Sequence, residues 1–344
     1  MHLSVLDQSP IRTDGTPAEA IGETILLAKA AENLGFYRYW LAEHHNTNSF
    51  AGSAPEILIA KVAGETSTIR VGSGGVMLPH YSPLKVAEQF RMLELLYPGR
   101  IDLGLGRAPG SDQRTAQALQ AGPQPWPIDS FPSQVHLLRQ FLEDAGGIVP
   151  LADDHPYRGI HASPRGPGTP EMWMLGSGIH GAVYAGELGL PFCHAHFISP
   201  ENAMEAVAAY TERFKPSRVL SAPHIAMGVA ALAAETEEEA KRLSASRNLW
   251  VVRLLTGQPI AFPSPEVALA YEYSDRERAI LASVEGRAII GTPDVVGKKL
   301  RSLAERHGAQ ELVIVTITYD FAPRLRSYEL LAKEFALKSP ATIQ

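Results

Sequence analysis

Tyr39-Trp40-Leu41-Ala42-Glu43-His44-His45 reads as a short buried strand that ends abruptly in one acid and two imidazoles. Small and polar residues follow from Asn46 to Gly52, and a helix opens near Pro55. A strand whose far end delivers titratable groups into a loop, followed by a helix, is how an α/β barrel presents chemistry at its carboxyl-terminal mouth. The competing explanation is that Glu43 and the histidines only cap the strand end and bond the loop behind them. An isolated pair of histidines would favour it. Similar signals at other strand ends turn the balance toward function.

The chain on either side repeats the same unit. Leu3 to Leu6 forms a first strand, and Thr16-Pro17-Ala18-Glu19 gives a helix cap, proline at the first helical position and an acid three residues after the cap. Gly35 marks the helix stop. Strand three runs from Ile69 to Met77, strand four from Ile101 to Leu105, strand five from Met172 to Leu175, strand six from Pro191 to Phe197, and strand seven from His224 to Ala231. A short strand at Ala288 to Ile290 precedes strand eight, Leu312 to Ile317. Helical patterns separate them, which predicts a parallel sheet with right-handed crossovers. The first strand-to-helix turn lacks a glycine-rich dinucleotide fingerprint, which counts against an open Rossmann sheet. The expected fold is a (β/α)8 TIM barrel forming a single domain over residues 1–344. Two Pro- and Gly-rich excursions, Ala108 to Pro170 after strand four and Gly257 to Glu285 after strand seven, are its insertions; the first carries one helix, Ser133 to Asp144.

Composition bounds the class of protein. The 344 residues are 45% hydrophobic and carry a formal net charge of −6, which argues against a nucleic-acid surface. A single cysteine, Cys193, excludes an intramolecular disulfide and a thiolate-cluster metal site, and suits a reducing cytoplasm. The N-terminus lacks the pattern of a signal peptide. No apolar run approaches the ~20 residues of a membrane span.

Three further strand ends carry chemistry. Gly72-Ser73-Gly74-Gly75 on strand three marks either a barrel bend or close backbone approach by a ligand. Gly104-Leu105-Gly106-Arg107 on strand four would let a flat ligand lie on the backbone while the guanidinium reaches an anion. Gly176-Ser177-Gly178, just before a helix, offers free amides and a hydroxyl as a phosphate cradle. Neighbouring strands would bring Arg107 and that cradle together, away from the usual barrel phosphate site after strands seven and eight. A rival constellation is His194 and His196, two residues apart on strand six, which with His44 and His45 would make a histidine-rich hydrolytic metal centre. It ranks second because no carboxylate stands at an obvious late strand end.

The runs Trp40 to His45, Val71 to Pro79 and Gly99 to Arg107, with Ile290-Gly291-Thr292-Pro293 later, resemble the bacterial luciferase-like monooxygenases. The resemblance spans nearly the whole chain and is strongest from Phe36 to Asp112. It implies a barrel that binds reduced FMN as co-substrate and oxidises a small organic molecule with dioxygen. It places His44 at the reactive face as a proton-handling group, helped by an imidazole titrating near ~6.5. A non-proline cis peptide is implied at Gly74-Gly75 or the adjacent bond, under the flavin ring. Arg107 and the turn Gly176, Ser177 and Gly178, with the helix start to His180, would bind the phosphate. It also implies a homodimer through the helices after the early strands, where Ile57, Leu58 and Ile59 are consecutive apolar residues. No second nucleotide-binding segment is evident, so a separate flavin reductase would supply the reduced cofactor. Gly257 to Glu285 is the candidate lid. Gly106 and Gly176 depart from the luciferases proper, which weighs against light emission. The alternatives are a deazaflavin-dependent oxidoreductase on the same fold, a non-catalytic flavin-binding relative, and the metal-dependent hydrolase.

Overall fold

Alternation with a period of two, read along each strand, divides the molecule into two layers of core. Tyr39, Val71, Leu103, Leu312 and Ile314 face outward into one large cluster with the helices. Their neighbours in sequence, among them Leu6, Trp40, Trp173, Cys193, Val313 and Val315, face inward. The computed structural model describes residues 1–107, 112–120, 127–284 and 286–339. Its strands are β1 (His2–Asp7), β2 (Arg38–Leu41), β3 (Arg70–Met77), β4 (Ile101–Gly106), β5 (Glu171–Gly176), β6 (Phe192–Ala195), β7 (Ile225–Ala233), β8 (Ala288–Gly291) and β9 (Glu311–Val315).

All strand pairings are parallel, and they close into a ring. β1 to β7 pair in sequence, and β9 joins β7 to β1 through Val229↔Ile314 and Val5↔Ile314. This is the expected eight-stranded TIM barrel. β8 stands outside the ring: it pairs only with Ala230 to Ala233, the far half of β7. The helices are α1 (Pro17–Leu34), α2 (Pro55–Glu65), α3 (Pro83–Leu96), α4 (Gln113–Leu119), α5 (Phe131–Ala145), α6 (Ile179–Leu188), α7 (Ala203–Arg213), α8 (Glu237–Leu255), α9 (Pro265–Ala270), α10 (Asp275–Val284), α11 (Pro293–His307) and α12 (Phe321–Glu334). The two insertions lie where the sequence places them, with parts of the first and the end of the second, Glu285, outside the described residues. The described part of the second is not irregular as expected: α9 and α10 occupy most of it, each started by a serine whose hydroxyl accepts from an amide three residues on, Ser264 from Val267 and Ser274 from Glu277.

The bottom of the barrel is filled by charge. Arg38 reaches Asp102 at 2.9 Å, Glu171 at 3.0 Å and Glu311 at 3.1 Å. Burial opposes the charge on Arg38, but these carboxylates, Asp102 foremost, raise its pKa. Above it Trp40 donates Nε1–H to Asp102 at 2.9 Å and meets Trp173 edge-on at 5.2 Å between centroids. These residues form a rigid floor.

Candidate active site

Above that floor several inward positions of the barrel are glycines, beside Leu6, Leu175 and Cys193. On β3 and β4 they are Gly74, Gly104 and Gly106, with Gly176 and Gly228 across the mouth on β5 and β7. A Cβ built on Gly74 would lie 2.6 Å from Leu6 Cδ1, and one on Gly75 would lie 2.7 Å from the Gly104 carbonyl oxygen. The Gly74–Gly75 peptide is cis, at the first of the positions the sequence indicated. The side chains missing from this layer leave a cavity of about 450 Å³ at the carboxyl-terminal end of the strands.

Gly74, Gly75, Arg107, Gly176, Ser177, Gly178 and His180 all line this one cavity. Leu6, Trp40 and Leu175 form its apolar wall, joined by Cys193, whose thiol is pushed up by burial. At the rim Arg107 is exposed and has no ion pair or hydrogen bond with a described residue. Beside it α6 begins at Gly178 with no side chain capping its first turn and no acid within it. A helix start without a side-chain cap and a guanidinium without a partner are the groups from which an anion site can be built.

The Glu43-His44-His45 run divides. β2 stops at Leu41, so all three residues lie in the loop that follows. Glu43 is buried and accepts three hydrogen bonds, from His45 Nε2 at 2.7 Å, Tyr81 Oη at 2.6 Å and the Met77 amide at 3.0 Å. It therefore pins the end of β3 to the end of β2, and for Glu43 and His45 the structural explanation holds. His44 is held otherwise. Its amide donates to Gly52 O at 2.8 Å and its ring packs on Phe50 at 4.4 Å. Gln8 Nε2 stands 3.5 Å from His44 Nε2, while Nδ1 is buried without a partner.

His44 does not line the 450 Å³ cavity. Nor does it line a second chamber of about 190 Å³, whose wall includes its neighbour Gln8 and Trp250, which packs on Phe50. Phe197 and Ile198 line both spaces and so form the partition between them. Burial, with His45 adding to it, pulls the His44 imidazole down to about 4. In place of the ordinary imidazole that the resemblance implied, burial makes this ring a weaker base, neutral at pH 7.

The rival metal centre does not assemble. Cys193 and Ala195 point into the barrel, so His194 points out among the helices, where Nε2 bonds Ser199 O at 3.0 Å. His196 lies beyond the end of β6, its ring 6.1 Å from that of His307 on α11. Neither joins His44 or His45. Among the described residues no three His, Cys, Asp or Glu side chains group as metal ligands.

Sequence reasoning missed the partition residues Phe197 and Ile198 and the second chamber behind them. Their only local signal was that they continue strand six past His196; the chamber's walls come from segments far apart in the chain.

Known proteins agree with this architecture. Residues 1–311 match the family model described as luciferase-like monooxygenase. The protein YwcH of Bacillus subtilis is 43% identical, covering 98% of this chain and 99% of its own. A luciferase-like monooxygenase of Escherichia coli K12 is 38% identical over 95% of each chain, and the N-acetyl-S-alkylcysteine monooxygenase of B. subtilis is 37% identical over 96% of this chain and 97% of its own. The crystal structure of apo-MsnO8 superimposes with a TM-score of 0.88 at 40% identity, covering 98% and 99% of the two chains. The FMN complex of the oxygenating constituent of 3,6-diketocamphane monooxygenase from Pseudomonas putida (TM-score 0.70, 20% identity, 98% of each chain) shares the fold. So does an F420-dependent secondary alcohol dehydrogenase (TM-score 0.71, 15% identity, 97% and 98% of the two chains). By the match of its sequence over most of its length, the chain belongs to the luciferase-like monooxygenase family.

Proposed function

We propose that this protein is an FMN-dependent monooxygenase that oxidises a small organic substrate with dioxygen. The observation that carries the proposal is the single cavity joining a glycine-lined apolar wall to an unpaired arginine and an open helix start. A flavin needs a flat, close-approach surface for its ring system and an anion site for its phosphate. Gly74, Gly75 and Trp40 would take the ring; Arg107, Ser177, Gly178 and His180 would take the phosphate. The volume lies within the ~300–1,000 Å³ of small-molecule sites. Bound reduced FMN would supply the activation of dioxygen, chemistry that no side chain here provides.

The chain's own contribution is to bind, orient and handle protons. Trp40, Leu6 and Leu175 keep the inner wall dry, which strengthens the polar contacts at the rim. His44, neutral at pH 7, is the proposed proton acceptor, with Nδ1 the free atom. A separate reductase would deliver the reduced flavin. The second insertion would serve as lid, since Phe262 within it packs on Phe50 and Trp250 beside His44.

A deazaflavin-dependent hydride transfer is the second possibility, favoured only by fold likeness to F420-dependent enzymes. The relatives named monooxygenases, at 37% and 38% identity, favour oxygen chemistry. The decisive experiment is equilibrium binding of FMN, riboflavin and F420, followed by oxygen uptake with chemically reduced FMN and a substrate panel. FMN-tight binding with substrate-dependent oxygen uptake is expected. Tight F420 binding without oxygen uptake would replace the proposal with its rival.

A further inference from the structure

Among the described residues, every buried or half-buried arginine but one has an acceptor. Arg38 has three carboxylates, Arg324 has Asp7, and Arg91 donates to the carbonyl oxygens of Pro164, Gly166 and Gly168. Arg247, on α8, is the exception. It is largely enclosed and lines the 190 Å³ chamber, yet it makes no hydrogen bond or ion pair with a described residue. Its charged neighbour is Arg287, also on the chamber wall, whose Nη1 donates to Ile198 O at 3.1 Å. Two like charges in one small space oppose each other, and burial with Arg287 beside it pulls the Arg247 guanidinium down to about 10, still cationic at neutral pH.

No carboxylate lines the chamber among the described residues. Apart from Gln8 the remaining walls are apolar: Ile198, Phe197 and Trp250, with aliphatic side chains from β7, α8 and β9 among others. A half-buried cation without an acceptor is partly desolvated, and an anion entering the chamber would offset that cost. The chamber adjoins the cofactor cavity through Phe197 and Ile198, and Gln8 connects it to His44.

We propose that the organic substrate is an apolar acid whose anionic head, a carboxylate or sulfonate, is held by Arg247 and Arg287, with its apolar body directed past Phe197 and Ile198 toward the cofactor cavity. The chamber volume, about six waters' share of liquid, limits that head and its first carbons to a small group. As a statement about substrate this rests on the monooxygenase proposal; as a statement about anion binding it does not.

The test uses the full chain with and without FMN, and hexanoate, hexane-1-sulfonate and uncharged hexanamide as probes in calorimetric titrations. At least one acid should bind roughly tenfold to a hundredfold more tightly than the amide. Arg247→Met should abolish that preference, Arg247→Lys should keep part of it, and FMN affinity should be unchanged in both. Comparison of the acids with the amide on the wild type needs no variant, so a misfolded Arg247→Met leaves the idea exposed to refutation. Equal binding of acid and amide, absence of acid binding at millimolar concentration, or full preference in a folded Arg247→Met would each overturn it. A protein that prefers the acid but binds no FMN would keep the anion site and lose the flavin function; the opposite result would remove only the anion site.

Discussion

Replacing Arg107 by alanine isolates the phosphate contact from the rest of the proposed flavin site. A hydrogen bond to a charged group contributes ~1.5–3 kcal/mol. Arg107 stands exposed at the rim, where solvent screens it, so the lower part of that range applies. Its removal breaks no ion pair or hydrogen bond among the described residues, so no stability is lost with it. About 1.5–2 kcal/mol corresponds to a roughly tenfold to thirtyfold rise in the Kd for FMN. The helix-start amides at Ile179 and His180 remain, so binding is weakened, not abolished. Riboflavin has the same ring system and no phosphate, and its affinity should not change. Fluorescence titration of both ligands against both proteins measures this directly, with the thermal midpoint as the control for folding. Added salt should erode the wild-type advantage for FMN and leave the variant nearly indifferent. Parallel losses for FMN and riboflavin would refute the argument, because they would place Arg107 against the ring or in the fold.

His44→Ala should leave FMN affinity nearly intact and slow turnover at saturating flavin by ~10²–10⁴-fold. His45→Ala, which frees one face of the Glu43 clamp, should instead lower the thermal midpoint; steady-state kinetics and melting of both variants separate the roles. Because folding lowers the His44 pKa from 6.5 to about 4, the unfolded chain binds the extra proton first. Wild-type stability should therefore be complete above pH 6.5 and fall between 6.5 and about 4, and His44→Ala should fall less across that window in chemical-denaturation curves. Asp7 is buried, yet Arg324 first, then Tyr39 and the Ser9 amide, hold its carboxyl below the usual range. Asp7→Asn strands that arginine and should cost ~3–5 kcal/mol by denaturation, while Asp7→Asn with Arg324→Met should recover part of it. Ile57 on α2 and Met92 and Leu96 on α3 are exposed, and the proposed homodimer would cover them. Light scattering should show a dimer that Ile57→Lys weakens; a monomeric wild type at micromolar concentration would refute it.

The barrel was legible because each strand repeats a two-residue pattern and each early helix carries its own punctuation. Thr16 and Glu19 exchange the expected capping bonds, at 3.2 and 2.7 Å, and Gly35 ends α1 in the left-handed region at φ 86°. Where punctuation conflicted with pattern, the pattern was lost. Pro323 stands in the first turn of α12, which begins at Phe321, where proline is tolerated although it reads as a helix breaker. Proline density also obscured α9, and α10 was missed despite Ser274 and Glu277 standing at capping-box spacing. The glycines and Arg107 could be found because a strand end followed by a helix is a local signal. Glu43 as a clamp, Arg247 as an unpaired cation and Phe197 as a partition could not. Each depends on what segments distant in sequence fail to supply.

That last point also explains why the cavity lies where it does. A barrel of eight strands is normally filled by successive layers of inward side chains. Here the lowest layer is the Arg38 ion cluster and the next is the Trp40–Trp173 pair. Above them, inward positions on β3, β4 and β7 fall on Gly74, Gly104, Gly106 and Gly228, which supply no side chains. The space is therefore core left partly unfilled by side chains, with Trp40 at its base. Buried ion pairs are weak stabilisers compared with well-packed apolar residues, yet Asp102 also orients Trp40 through Nε1. The floor's position, and with it the depth at which a planar ligand can rest, depends on that hydrogen bond. Charge at the bottom of the barrel thus contributes to the site at its mouth without touching anything bound there.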